Sequence, residues 1–343
     1  MGQDRPTPQT PPRGRGPAPL ALALGALVAV LFAASLLVGP AGLGPGESLR
    51  ALALGGDGPM PLVMREIRLP RAILGAAVGA SLGLAGAAMQ GYLRNPLAEP
   101  GIVGVTASAA LGAVLAIQTG LSAAWALGLP VAALAGAALS VTLLTLLAGP
   151  RGSTFTLILA GIAIGALATA LTSLVLNLSP NPYAAGEIVF WMMGSLADRS
   201  FTHVALALPF MALGWLALAA TARGLDALTL GEDAAEALGV RLTRLRLVLV
   251  GGTAAAVGAA TAVAGAIGFV GLVVPHLLRR VVGAEPGRLL WASALGGAAM
   301  VLAADIAVRL ILPARDLKLG VLMALVGAPL FLHLIWRTRR EFA

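Results

Sequence analysis

The residues able to do chemistry in this chain are few and scattered. His276, Asp305 and Arg309 fall inside long apolar runs, and His203 and His333 lie near the ends of two others. Ionisable groups placed in hydrocarbon are costly and mark either an ion pathway or a pair that holds helices together. Asp305 and Arg309 stand one helical turn apart, so mutual pairing is the simpler expectation. A secondary carrier driven by protons or sodium would have to hang its coupling on these groups, and an intramembrane enzyme would have only His276 and Asp305. The patterns HExxH and GxxxxGK[ST] are missing, and the one lysine, Lys318, follows an RDL triplet. Without cysteine, thiol chemistry and disulfides are excluded. No catalytic residue and no metal site is assigned. Uphill transport would draw its energy from a partner.

The elements that carry these groups are set by composition. Of 343 residues, 58% are hydrophobic and only 11% charged, where a soluble chain has about a quarter charged. Apolar runs of this length read as crossings of a hydrocarbon core about 30 Å thick. Ten are expected, near 19–38, 68–91, 101–118, 122–148, 154–177, 202–221, 243–267, 270–283, 288–311 and 319–337. The eighth is short and carries Pro275, which predicts a broken or tilted segment. The fold class is all-α and polytopic, one transmembrane domain over 18–343 behind a basic, proline-rich, disordered tail over 1–17. The run at 19–38 is read as a span rather than a cleaved signal. The net charge of +8 comes from residues clustered at helix ends, which orients a membrane protein with both termini in the cytoplasm and gives no reason to expect nucleic acid. Gly75, Gly79 and Gly83, and again Gly161 and Gly165, are small-xxx-small steps that let helices approach closely.

Polar segments between the runs carry the remaining information. In DALTLGEDAAEALGV (226–240), Thr229 followed by Glu232 reads as a capping box, with Gly239 as the stop. Leu228, Leu230, Ala235 and Leu238 would offer a small apolar surface, suited either to a cytoplasmic partner or to lipid. On the outer side, Arg68, Arg71 and Arg309 stand where basic residues are usually sparse. They read either as snorkelling to headgroups or as a rim for an acidic partner. The segment 181–200, with Phe190 and Trp191, suits an interfacial helix or a lid, and the residues do not decide between them.

These pieces together resemble the FecCD-type permeases, membrane subunits of bacterial ABC importers for ferric siderophores, haem and vitamin B12. The matching runs are RLPRAILGAAVGASLGLAGAAMQGYLRNPLAEPGIVGV (68–105), WMMGSL (191–196), LGEDAAEALGV (230–240), GAIGFVGLVVPHLLR (265–279), LAADIAVRL (302–310) and KLGVLMALVGAPLF (318–331). The resemblance implies ten helices in a type II importer fold, a homodimer with a central pathway, two cytoplasmic ATPase subunits that hold ATP and magnesium, and a periplasmic binding protein. It makes Thr229, Leu230, Gly231, Glu232, Ala235, Leu238 and Gly239 the ATPase-coupling segment, and Arg68, Arg71 and Arg309 the landing site of the binding protein. It places RNPLAEP at a cytoplasmic helix end, where Asn95, Pro96, Leu97, Pro100 and Gly101 would form a rigid elbow, with Gly101 permitting a tight start to the next helix. The chain itself would need no cofactor. Ferric siderophore is the expected cargo, with vitamin B12 and haem as alternatives, and the triplet before Ser200 (ADR) departs from the family pattern. No role is assigned to the tail.

Overall fold

The computed structural model describes residues 17–39, 44–54, 58–149, 153–311 and 317–341. The expected tail therefore lies outside the described residues except for Pro17, where the first helix begins. Helix α1 (Pro17–Leu37) is followed by a short outer helix α2 (Pro45–Leu54). One turn, α3 (Pro59–Leu62), runs through a π-helical stretch, Val63–Arg68, into α4 (Leu69–Tyr92). The second apolar helix thus starts nine residues before the sequence boundary at 68. A 3-10 turn (Pro100–Val103) leads to α5 (Val105–Gln118), then α6 (Leu121–Ala124), α7 (Gly128–Ala148) and α8 (Thr154–Asn177). Next come α9 (Pro182–Met192), α10 (Phe201–Ala220), α11 (Ala222–Leu228) and α12 (Glu232–Ala237). The chain closes with α13 (Leu242–Ala264), α14 (Val270–Arg279), α15 (Pro286–Ile311) and α16 (Leu319–Glu341).

Among the described residues, seven helices are long and apolar enough to cross a membrane, and three shorter apolar ones accompany them: Val105–Gln118, Val270–Arg279 and Leu319–His333. At 1.5 Å per residue α14 is about 15 Å long, half the hydrocarbon thickness. The broken segment expected around Pro275 is this helix.

Helix α4 is the axis of the bundle, packed against α15, α14, α13 and α10, while α5, α7 and α8 form a second group joined to it through α13. Its glycines explain that position. A methyl group at Gly79 would collide with the backbone carbonyl of Gly297, and one at Gly83 with that of Ser293, so α4 and α15 cross backbone to backbone. Where lipid tails are as apolar as leucine, such close packing supplies much of the association. Gly161 meets the carbonyl of Ile102 in the same way, which seats α8 on the 3-10 turn.

Candidate functional site

A charged cluster near the start of α4 is assembled from three distant parts of the chain. Asp305 on α15 is 1% exposed. Its Oδ1 accepts from Arg71 Nη2 at 2.8 Å and Nε at 3.0 Å, and its Oδ2 lies 2.8 Å from Arg309 Nη2. Arg309 also donates to the carbonyls of Ser35 (2.8 Å) and Val38 (2.7 Å) and to Ser35 Oγ (2.6 Å). Arg68, turned inward at the end of the π stretch, donates to the carbonyls of Leu36 (2.8 Å) and Leu37 (3.1 Å). A helix leaves its last carbonyls without intrahelical partners and ends with partial negative charge. Arg68 and Arg309 therefore cap the end of α1. Arg65 does the same for α2, donating to Leu52 O at 2.9 Å.

The three arginines expected at a basic rim are turned largely inward. The Arg309 side chain is 7% exposed and Arg71 keeps only 18%; Arg68 is buried. All three are engaged inward, by carbonyls or by Asp305. The pairing of Asp305 with Arg309 agrees with their spacing, but Arg71 and Ser35 join from residues too remote for any local pattern.

The other end of α4 is built differently. Helix α4 stops in a Schellman motif: Arg94 is left-handed at φ 49°, its N–H reaches Gly91 O, and Asn95 N–H reaches Gln90 O. Asn95 then accepts from Leu97 N through Oδ1 (2.9 Å) and from Ala98 N through its carbonyl (3.1 Å). Pro96 sits at the second position of this turn, where its fixed φ is favourable. Leu97 is exposed and Ala98 buried. Pro100 is buried at the first position of the 3-10 turn, where the missing N–H costs nothing. Glu99 Oε1 accepts from the backbone N–H of Phe269, the residue before α14. Gly101 is not where the turn is tight: its φ is not positive and nothing crowds it. That role belongs to Gly104, at φ 76°, where a Cβ would lie 2.8 Å from Gly161 O.

Beside this elbow stands the segment 221–240. The expected capping box at Thr229 does not form. Thr229 ends α11 instead, and its hydroxyl donates to Asp226 O at 2.6 Å. The N-cap of α12 is Gly231 at φ 105°, with Glu232 and Asp233 in the first turn, where negative charge is favoured. Gly239 at φ 87° is the stop expected of it, with its N–H on Glu236 O and Val240 N–H on Ala235 O. The apolar residues divide in two. Leu228 and Ala235 are buried and fix the segment to the bundle, whereas Leu230 and Leu238 are 68% and 66% exposed. Arg94 Nη2 lies 3.9 Å from Glu232 Oε1 across half-exposed side chains, so the elbow and α12 are neighbours. Asp226 Oδ1 accepts from Gly287 N–H at 2.7 Å, which caps α15.

The histidines are not brought together. His203 caps α10 through Ser200, His276 lies on α14, and His333 packs against Trp336. Among the described residues, no group of three metal-ligating side chains forms. Helix α9 in the 181–200 segment starts at Asn181, whose side chain accepts from Tyr183 N–H. Its far end meets the loop after α13, where Ser195 N–H reaches Ala264 O. Arg199, in the divergent triplet, donates to Val263 O.

Residues 27–337 match the FecCD transport family. The chain belongs to that family. The cobalamin import system permease protein BtuC of Halobacterium salinarum is 42% identical to this FecCD permease, over 80% of this chain and 73% of its own. The vitamin B12 import system permease protein BtuC of Klebsiella pneumoniae is 38% identical, over 91% and 92%. A solved structure of a metal-chelate type ABC transporter in an inward-facing conformation superposes with a TM-score of 0.83 at 33% identity, covering 93% of this chain and 99% of that one. The protein is thus a multi-pass permease of an ABC importer.

Proposed function

We propose that this permease works in the inner membrane as one half of a homodimer, with both termini in the cytoplasm. Two cytoplasmic ATPase subunits would bind ATP and magnesium, and a soluble binding protein would deliver a metal chelate from outside. The observation that carries this reading is the segment 221–240. Leu228 and Ala235 root it in the bundle, while Leu230 and Leu238 project as an apolar knob next to the elbow. An exposed apolar pair flanking a short anchored helix suits a groove on a partner better than solvent. The 3.9 Å separation of Arg94 and Glu232 puts the elbow beside whatever docks there.

In this mechanism ATP binding and release at the knob bias two arrangements of the helices, and the chelate passes between the two copies without covalent change. The outer cluster serves the landing surface by fixing its shape. Arg71, the least enclosed of the three arginines, is the one a partner carboxylate reaches. Cobalamin is the cargo favoured over a ferric siderophore, because the named relatives at 42% and 38% identity are cobalamin permeases. The test is uptake of labelled cobalamin and of iron–siderophore in cells with and without the gene. Loss of cobalamin uptake supports the reading. Loss of iron–chelate uptake alone keeps the importer and replaces the cargo, and no change in either removes both cargoes and leaves haem as the next to test.

A further inference from the structure

Helix α14 has a defect and an unusual repair. It is ten residues long, too short to span, and interrupted by Pro275. In an α-helix the carbonyl of Gly271 would accept from the N–H four residues on, but that residue is Pro275 and has none. The orphaned carbonyl is buried, where an unmet acceptor is costly. Gln90, fully buried on α4, fills the gap: its Nε2 lies 3.4 Å from Gly271 O and 3.2 Å from Leu272 O. Its Oε1 in turn accepts from Arg279 Nη2 at 2.9 Å, at the far end of the same helix. One amide thus grips α14 at its proline break and at its C-terminus.

Two further attachments come from the same stretch of chain. Gly86, one turn before Gln90, lies so close to Gly271 that a methyl group would collide with its backbone. Glu99, in the elbow, accepts from Phe269 N–H at 3.2 Å, where α14 begins. The start, middle and end of α14 are therefore all held by residues 86–99. The other end of this unit reaches the outer half of the bundle. The loop that precedes α14 packs at Gly265 against Gly194, after α9, and a methyl at Gly320, in the first turn of α16, would lie 3.0 Å from Ala266 O.

We infer that Gln90 is a positioning residue that makes the end of α4, the elbow and α14 one rigid lever, carrying motion from the knob at 221–240 to the outer ends of α9 and α16. The inference rests on the importer reading above. It makes α14 move as a unit with the elbow in every state of the transport cycle, although 170 residues of chain separate Glu99 from Phe269.

The absence of native cysteine makes the test direct. Spin labels at the exposed positions Leu97→Cys, on the elbow, and Leu277→Cys, on α14, would be placed in one copy only of the permease dimer, the other copy left without cysteine, assembled with its ATPase in lipid nanodiscs. The expected result is one narrow distance distribution that is the same with and without ATP. With Gln90→Leu the distribution broadens, and the stimulation of ATP hydrolysis by cargo-loaded binding protein falls at least tenfold while the ATPase subunits still bind. Adding Pro275→Ala supplies the missing N–H, so Gln90→Leu/Pro275→Ala should regain thermal stability but not stimulation. Three outcomes overturn the lever: a distance that changes with ATP, a Gln90→Leu distribution as narrow as wild type, or stimulation that returns together with stability. If the wild-type assembly shows no stimulation by any cargo-loaded binding protein, the importer reading fails instead. The effect of Gln90→Leu on the width of the distribution still decides the lever.

Discussion

On the orientation proposed above, the outer and inner ends of this permease use opposite means to meet the aqueous phases. At the outer end, charge is turned inward: Arg68 and Arg309 close the last turn of α1, and Asp305 is shared by Arg309 and Arg71. At the inner end, apolar side chains are turned outward: Leu230 and Leu238 are exposed on either side of a helix of six residues. Each arrangement costs free energy in isolation. Buried charges must recover their desolvation from partners inside the molecule, and exposed leucines recover theirs only when another surface covers them. The charges of the first cluster are thus largely satisfied within the chain, whereas the exposed leucines would, on the proposed function, be half of an interface.

The sharpest way to break this contrast is at Asp305. Asp305→Ala leaves the Arg71 and Arg309 guanidiniums enclosed without their shared carboxylate, the situation that costs about 3–5 kcal/mol when one member of a buried ion pair is removed. A large drop in the thermal midpoint of the purified permease is expected, together with loosening of the end of α1. The check is thermal unfolding in detergent, with proteolysis of the α1–α2 region as a second readout. A stability near wild type would mean that the outer charges are as dispensable as exposed ones, and the contrast would vanish.

The inner end should respond in the opposite sense. Leu230→Glu with Leu238→Glu removes apolar surface that is already in solvent, so the thermal midpoint of the isolated permease should hardly move. Full burial of one leucine contributes about 1.5–3 kcal/mol, so association with the ATPase should weaken by roughly tenfold or more for each side chain. Titration of ATPase onto immobilised permease measures this. Unchanged affinity would show that the knob is not the contact, and an unfolded variant would show that it is not a surface.

Much of the fold was legible because bilayer thickness and apolar run length are local quantities. The breaks were less so. The short segment at Pro275 was readable from a proline in an apolar run, yet Gln90, its remedy, sits in a helix whose pattern gives no reason to single it out. Asp305 and Arg309 were readable as a pair one turn apart, but Arg71 completes the pair from 234 residues away. The inward turn of Arg68 depends on the π stretch, which shifts the helical face by one extra residue and has no sequence signature. The elbow was anticipated at Asn95, Pro96 and Pro100, whose conformational preferences are intrinsic. The left-handed glycine was placed three residues early, since Gly101 and Gly104 are equivalent until α8 is packed against one of them.

The smallest expected effect is at Thr229, and it is informative because the sequence pattern and the geometry disagree there. A capping box would make the Thr229 hydroxyl an acceptor for the first turn of α12, and its loss would cost about 1 kcal/mol. In the structure that hydroxyl instead donates to Asp226 O at 2.6 Å on an exposed turn, while Gly231 occupies the N-cap. A bond of this kind, made where water competes for both groups, contributes only a few tenths of a kcal/mol. Thr229→Ala should therefore leave both the thermal midpoint and the ATPase affinity close to wild type. Gly231→Ala should lower the stability of α12 more, because φ 105° is closed to a side chain. If Thr229→Ala weakened the ATPase contact as much as Gly231→Ala, the box would form in the assembled transporter, and the inner end would be reshaped by its partner rather than presented ready-made.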